Sequence, residues 1–251
     1  MKFQSNMKFQ LKSAIASGMV CLTTSSGAAV LVASDSFSYP DGPTVGATGS
    51  PWVRYAGTAG QSNLVNGKLI VTAAESEEIR TPLAGGPYTP GILTASFNLT
   101  MTTLPLGNGN YFAHFRQDDP NSIFSNARLW ANTVGAASGS YRLGLSNSIN
   151  SGVSDNNPMN LALNTTYLVT LSLDLDTDIA SLSINGGAPV SATDAVFDFA
   201  ITDFAFRQIG SIGTMNVDDL AVNYTAPASV PEPASCLLGA MGLLSLLHRR
   251  R

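Results

Sequence analysis

The chain has 251 residues, with 13 Lys+Arg against 17 Asp+Glu and two Cys. Six of the basic residues but only one acid, Glu232, lie in the terminal segments, so the body keeps seven basic against sixteen acidic residues, a net of -9. A surface of that sign disfavours phosphate backbones and anionic lipid, which excludes nonspecific nucleic-acid binding, and because Cys21 and Cys236 are also terminal the body has no disulfide scaffold, thiol nucleophile or Cys-ligated zinc.

In chain order, Lys2, Lys8 and Lys12 precede a mostly apolar or small-residue run from Ser13 to Val32, and the chain turns polar at Ser34-Asp35-Ser36. A basic start, an apolar stretch and small residues before a polar switch read as a secretory signal peptide. Cleavage follows Ala29 or Ala33. Gly27-Ala28-Ala29 fits the small-x-small preference better, Ala33 lies nearer the polar switch, and the boundary is placed at 1–33.

From Ser34 to Thr225 period-2 alternation replaces helical spacing. Leu93, Ala95, Phe97, Leu99 and Met101 alternate with Thr94, Ser96, Asn98 and Thr100, and Val169, Leu171 and Leu173 alternate with Thr170, Ser172 and Asp174. Similar runs cover 68–73, 110–116, 124–132, 140–147, 179–185, 201–208 and 214–224, with turn signals such as Gly107-Asn108-Gly109 and Asn185-Gly186-Gly187 between them. Nine or ten short strands with one polar face predict an all-β body over 34–226: two packed antiparallel sheets in a β-sandwich, or jelly roll.

The candidate sites in this body are few. Glu75 and Glu77 could share a strand face as a glycosidase pair does, but they lack the surrounding strand pattern, and a solvated acidic edge or loop is the expected role. Asp174, Asp176 and Asp178 fail the EF-hand spacing and read as a hairpin turn. Asp35 with Asp218 or Asp219 is the candidate structural calcium site if the first and last strands lie side by side, set against capped or exposed acids. His114, Arg116, Arg128 and Trp130 fall on neighbouring strands, where an aromatic face and guanidinium forks could hold an acidic glycan. Ordinary outward alternation explains the same four residues.

At the far end Val230-Pro231-Glu232-Pro233 is stiff and extended because proline fixes its own backbone and biases its predecessor. Fourteen apolar or small residues, Ala234 to Leu247, follow, then Arg249, Arg250 and Arg251. As a helix this run is roughly 21 Å long, short of the ~30 Å hydrocarbon core; the arginines are what identify it as a membrane segment with a cytoplasmic stop.

This three-part tail over residues 227–251 resembles the PEP-CTERM sorting signal of exopolysaccharide-producing Gram-negative bacteria. The resemblance implies that, after export by the general secretion machinery, a membrane exosortase recognises Pro231, Glu232 and Pro233, processes the protein near them and passes the body to the envelope, outer surface or extracellular matrix, the hydrophobic segment being a transient anchor. Asp35-Ser36-Phe37-Ser38-Tyr39-Pro40-Asp41-Gly42 and Met215 to Val222 resemble the first and last strands of concanavalin A-like, laminin-G-like jelly rolls. The combined expectation is an exported, non-enzymatic, structural or adhesive protein with exopolysaccharide or other glycans as partners. A secreted glycan-cleaving enzyme on the same fold is the alternative.

Overall fold

The computed structural model describes residues 27–119, 122–147, 153, 155–193 and 200–228. Among them every regular element is a β-strand, as the alternation predicts. A nine-stranded sheet runs β15 (Val190–Thr193), β14 (Ile179–Ile184), β13 (Thr166–Asp174), β7 (Ile92–Thr103), β17 (Thr214–Thr225), β5 (Leu69–Thr72), β4 (Asn63–Leu64) and β2 (Gly42–Pro43), with β1 (Val30–Asp35) also on β17. An eight-stranded sheet runs β11 (Asp155–Asn156), β10 (Ser140–Ser146), β9 (Ser122–Asn132), β8 (Asn110–Asp119), β16 (Asp203–Arg207), β6 (Glu78–Pro82) and β3 (Val53–Ala56), with β12 (Leu161–Ala162) also on β10. All the named pairings are antiparallel.

The core lies between the sheets because each contributes one apolar face. Leu93, Ala95, Phe97, Leu99 and Met101 of β7 are all fully buried. Phe97 meets Phe204 and Phe206 of the opposite sheet at ring-centroid distances of 6.3 and 5.5 Å, which ties the layers at their centre. Most outward positions of β7, β13 and β14 carry hydroxyls, and some pair across strands: Thr100 with Thr166 at 2.7 Å and Ser181 with Ser191 at 2.9 Å.

One bulge sets the plan of the nine-stranded sheet. Met215 and Val217 are buried at odd positions of β17, Leu220 and Val222 at even ones. The phase changes because β17 advances from Asp218 to Ala221 while its partner moves only from Asn98 to Ser96, with Asp219 at a φ of +52° absorbing the extra residue. Before the bulge β17 pairs with β5, from Thr214 to Val217; beyond it, with β1, from Leu220 to Tyr224. The first and last strands are therefore neighbours. β1 begins at Val30, four residues before the expected start of the body at Ser34.

Candidate functional site

The polar face of the eight-stranded sheet collects most of the body's basic residues. Arg80, Arg116, Arg128, Arg142 and Arg207 sit on β6, β8, β9, β10 and β16, and Arg54 sits on β3. Register aligns the first five with the outward row. Ala205 lies opposite both His114 and Arg80, Asp203 opposite Arg116, and Ser146 opposite Arg128. Against a body of net charge -9, one sheet face thus holds five guanidiniums with three carboxylates, those of Glu78, Asp118 and Asp203.

At one side of this face the charges are paired. Arg80 donates to Asp203 at 2.6 Å and to Asp118 at 3.0 Å, Arg116 donates to Asp118 at 3.0 Å, and Arg207 donates to Glu78 at 2.7 Å. Arg116 is only 4% exposed and also stacks 4.4 Å from the Tyr55 ring centre. Arg207 and Arg128 lie 4.3 and 5.1 Å from the centre of the Tyr111 ring. These contacts replace water around the guanidiniums with π faces and carboxylates.

His114 lies within this layer with no exposed surface. The Tyr55 hydroxyl is 3.3 Å from its Nε2, and the Tyr55 and Tyr111 rings meet it edge-on at 6.3 and 5.4 Å. Burial and then the cations Arg207, Arg116 and Arg128 push its pKa down to about 3, so the imidazole is neutral. Burial likewise raises the Tyr55 hydroxyl well above the usual range, with Glu78 adding to the effect.

The accessible part of the face is beside Trp130. Trp130 stands opposite Tyr111 on one neighbour and Gly144 on the other, and its indole N–H donates to Ser146 Oγ at 2.9 Å. A cavity of about 350 Å³ opens there, lined by Asn108, Trp130, Asn132, Val134, Val153 and Asn156. Gly144 makes this wall possible: a Cβ at that position would stand 2.5 Å from Asn156 Oδ1 and 2.7 Å from Val153 Cγ1. Without it the Asn132 amide reaches Asn156 Oδ1 at 2.8 Å across the strand. The cavity therefore has an indole, three amides and two valines, a lining suited to a ring bearing both C–H faces and hydroxyls.

The four residues expected from sequence thus share one face but divide in role. Trp130 is half-buried at the cavity, while His114, Arg116 and Arg128 form the buried layer next to it. Arg207, Tyr55, Tyr111 and the three asparagines were not singled out from sequence. The outward parity of Asp203, Ala205 and Arg207 in β16 was the signal that could have found Arg207.

The three aspartates do not make a calcium cage. Asp35 Oδ1 accepts the Phe37 N–H at 2.8 Å; Oδ2 accepts the Trp52 indole N–H at 2.6 Å and the Tyr39 hydroxyl. Asp219 accepts the Asn98 amide at 3.0 Å. Among the described residues no group of three or more His, Cys, Asp or Glu is placed to hold a metal. The cleft of about 810 Å³ between Asp35, Tyr39, Thr48 and Asp219 lies at the bulge, where β17 changes neighbours.

Glu77 is not solvated. It is 1% exposed, and its carboxylate accepts the backbone N–H groups of Gly60, Gln61 and Ser62 at 3.2, 2.8 and 2.6 Å. It pins a loop, and with Glu75 precedes β6 instead of projecting from it. Asp174 caps the expected hairpin turn by accepting the N–H groups of Asp176 and Thr177. Pro231, Glu232, Pro233, Arg249, Arg250 and Arg251 lie outside the described residues.

No protein-family model matches the chain, and no curated protein sequence does. Solved structures do. The chain is similar to the carbohydrate recognition domain of Emp47p, with a TM-score of 0.50 and 12% identity over 77% of this chain and 97% of that one. It is also similar to the CBM2 module of the evolved Dit protein of Lactobacillus casei BL23 phage J-1, with a TM-score of 0.53 and 9% identity over 81% and 99%. The shared fold is a two-sheet antiparallel β-sandwich. The marine PL7 alginate lyase AlyA1 of Zobellia galactanivorans is a further similar chain, with a TM-score of 0.47 and 14% identity over 78% and 94%. The expectation of a non-enzymatic body needs correction, because a β-sandwich fold does not by itself decide enzymatic status.

Proposed function

We propose that the protein is an exported glycan-binding module that holds a carboxylate-bearing sugar at the Trp130 cavity. The observation that carries this reading is the cavity itself: a half-buried indole with the amides of Asn108, Asn132 and Asn156 around it, on the cationic face of an otherwise acidic body. An indole face packs against sugar C–H groups, amides serve hydroxyls, and Arg128 on the strand of Trp130 with Arg142 on the neighbouring β10 favour an anionic ring over a neutral one. The acidic remainder of the surface repels polyanions, which confines them to this face. A glycan ligand is compatible with the fold shared with the Emp47p carbohydrate recognition domain and the phage CBM2 module.

Titration of the exported protein with uronic-acid oligosaccharides and their neutral counterparts tests the proposal. Trp130→Ala is expected to weaken uronide binding about tenfold, corresponding to roughly 1.4 kcal/mol. Equal affinity for neutral and acidic oligosaccharides, or unchanged binding in Trp130→Ala, would refute it.

A second reading rests on the Tyr55 hydroxyl 3.3 Å from a neutral His114, beside Arg116. The Tyr55 hydroxyl, held protonated by burial, could give its proton to a leaving oxygen beside guanidiniums that neutralise a substrate carboxylate, the acid half of glycan cleavage by elimination. Tyr55 is partly exposed and would have to be the group that meets the substrate, since His114 is sealed. Appearance of unsaturated products from a polyuronate, abolished in Tyr55→Phe, distinguishes cleavage from binding.

Export and delivery to the envelope, outer surface or matrix of a Gram-negative bacterium belong to the same proposal, supported by the resemblance of residues 227–251 to an exosortase substrate. Deleting 227–251 should change where the protein is found. Unaltered localisation would contradict a sorting role for the tail.

A further inference from the structure

The apolar run that follows the basic N-terminus does not end where the leader ends; part of it belongs to the sandwich. Val30, Leu31 and Ala33 of β1 pair with Tyr224, Asn223 and Val222 of β17. Val32 is 6% exposed in the core, and its carbonyl accepts the Ala84 N–H at 2.8 Å, which joins β1 to the segment after β6. Two residues beyond Ala33, Asp35 clasps Phe37, Tyr39 and Trp52. Ala28 and Ala29, by contrast, precede the strand and are exposed.

We infer that the leader is removed by hydrolysis of the Ala29–Val30 peptide bond, not after Ala33; this rests on the export reading above. Two independent requirements meet at that bond. Gly27 and Ala29 are both small at the outer and inner positions before the cut, whereas a cut after Ala33 places Leu31 at the outer position. A cut after Ala33 also strips four of the six residues of β1, deletes Val32 from the core and leaves the Ala84 N–H without its acceptor. A cut after Ala29 keeps every one of these contacts. In the step the water oxygen adds to the Ala29 carbonyl carbon, the C–N bond breaks and both water protons end on the Val30 nitrogen, giving an Ala29 carboxylate and a Val30 ammonium. The proximity of Ala33 to the polar switch is then a property of β1, whose outer residues Val30 and Leu31 happen to be apolar, and not a boundary signal.

The test is to express the 251-residue chain in a Gram-negative host and read the N-terminus of the exported protein by sequential degradation and intact mass. Val30 is expected as the first residue. Ser34 as the first residue overturns the inference while leaving export intact, whereas a chain that keeps its initiating Met in the cytosol overturns the export reading itself. Ala29→Phe is expected to abolish or displace the cut, and Ala33→Phe to leave Val30 first. A cut blocked by Ala33→Phe and not by Ala29→Phe would also overturn the assignment; because the readout is the terminal residue of the chain, a loss of stability in either variant does not obscure it.

Discussion

Lowering the pH should destabilise the protein through His114 before the acidic residues begin to contribute. In the folded protein its pKa lies at about 3 because burial and three nearby guanidiniums oppose a further positive charge. In the unfolded chain it returns to about 6.5. Between those values the unfolded state binds a proton that the native state does not, so stability is unaffected by His114 above about pH 6.5 and falls as pH drops below it. The slope approaches about 1.4 kcal/mol per pH unit, a loss of about 2–3 kcal/mol by about pH 4.5. Urea unfolding at intervals between about pH 7.5 and 4.5 measures it. His114→Gln keeps a polar group for the Tyr55 hydroxyl but cannot titrate, so its stability should decline less steeply by about one proton over this range. Parallel slopes for the two proteins would refute the reasoning, as would an imidazole resonance titrating near about pH 6.5 that disappears in His114→Gln. The chain's other histidine, His248, supplies the reference resonance where the tail is retained.

Asp35→Asn replaces an acceptor of three hydrogen bonds with an amide that must turn its own N–H toward a donor; we expect a loss of about 2–3 kcal/mol and a Tm lower by about 4–12 °C, and a change under about 1 °C would contradict the clasp. Glu77→Gln should speed amide exchange at Gly60, Gln61 and Ser62 by roughly tenfold or more while leaving the β7 amides protected, since only the loop loses its anchor. Gly144→Ala should displace Asn156 and Val153 and lower uronide affinity, measured by calorimetry, with Trp130 itself untouched.

The strands that sequence showed are those with one face in the core and one in solvent. β7 and β13 alternate almost without exception because the hydroxyl side meets water and the apolar side meets the opposite sheet. β8 obscures the pattern: Phe112 through Arg116 are all buried, because its outward side is covered by Tyr55, Tyr111 and the ion pairs. Alternation there could not separate a core residue from a site residue, and His114 read equally well as either. β1 was hidden inside the apolar run of the leader, and β2, β4, β11 and β12 are two-residue pieces too short to carry a period. Glu77 was misread as a solvated acid because its three donors lie 15 to 17 residues away, brought back by the fold and not by any local motif. Trp130 and Arg128, two apart on β9, do share the outward side that their spacing implied.

The two outer faces of the sandwich are chemically opposite, and this makes the location of recognition testable without knowing the ligand's sequence. On the nine-stranded sheet the outward row of β7 is Thr94, Ser96, Asn98 and Thr100, uncharged and in part bonded to neighbouring side chains. Such a face has already satisfied some of its hydrogen-bonding groups and, with Asp219 beside Asn98, offers a polyanion no guanidinium row. The face around Trp130 offers guanidiniums and an indole. Because the body is free of thiols, a single label can be placed at will once Cys21 and Cys236 are changed to Ser. A label at Asn108→Cys, on the cavity rim, should change mobility or fluorescence on saturation with a uronic-acid oligosaccharide, and a label at Thr94→Cys should not. A response at Thr94→Cys equal to that at Asn108→Cys would place binding on the wrong sheet and remove the Trp130 cavity as its site.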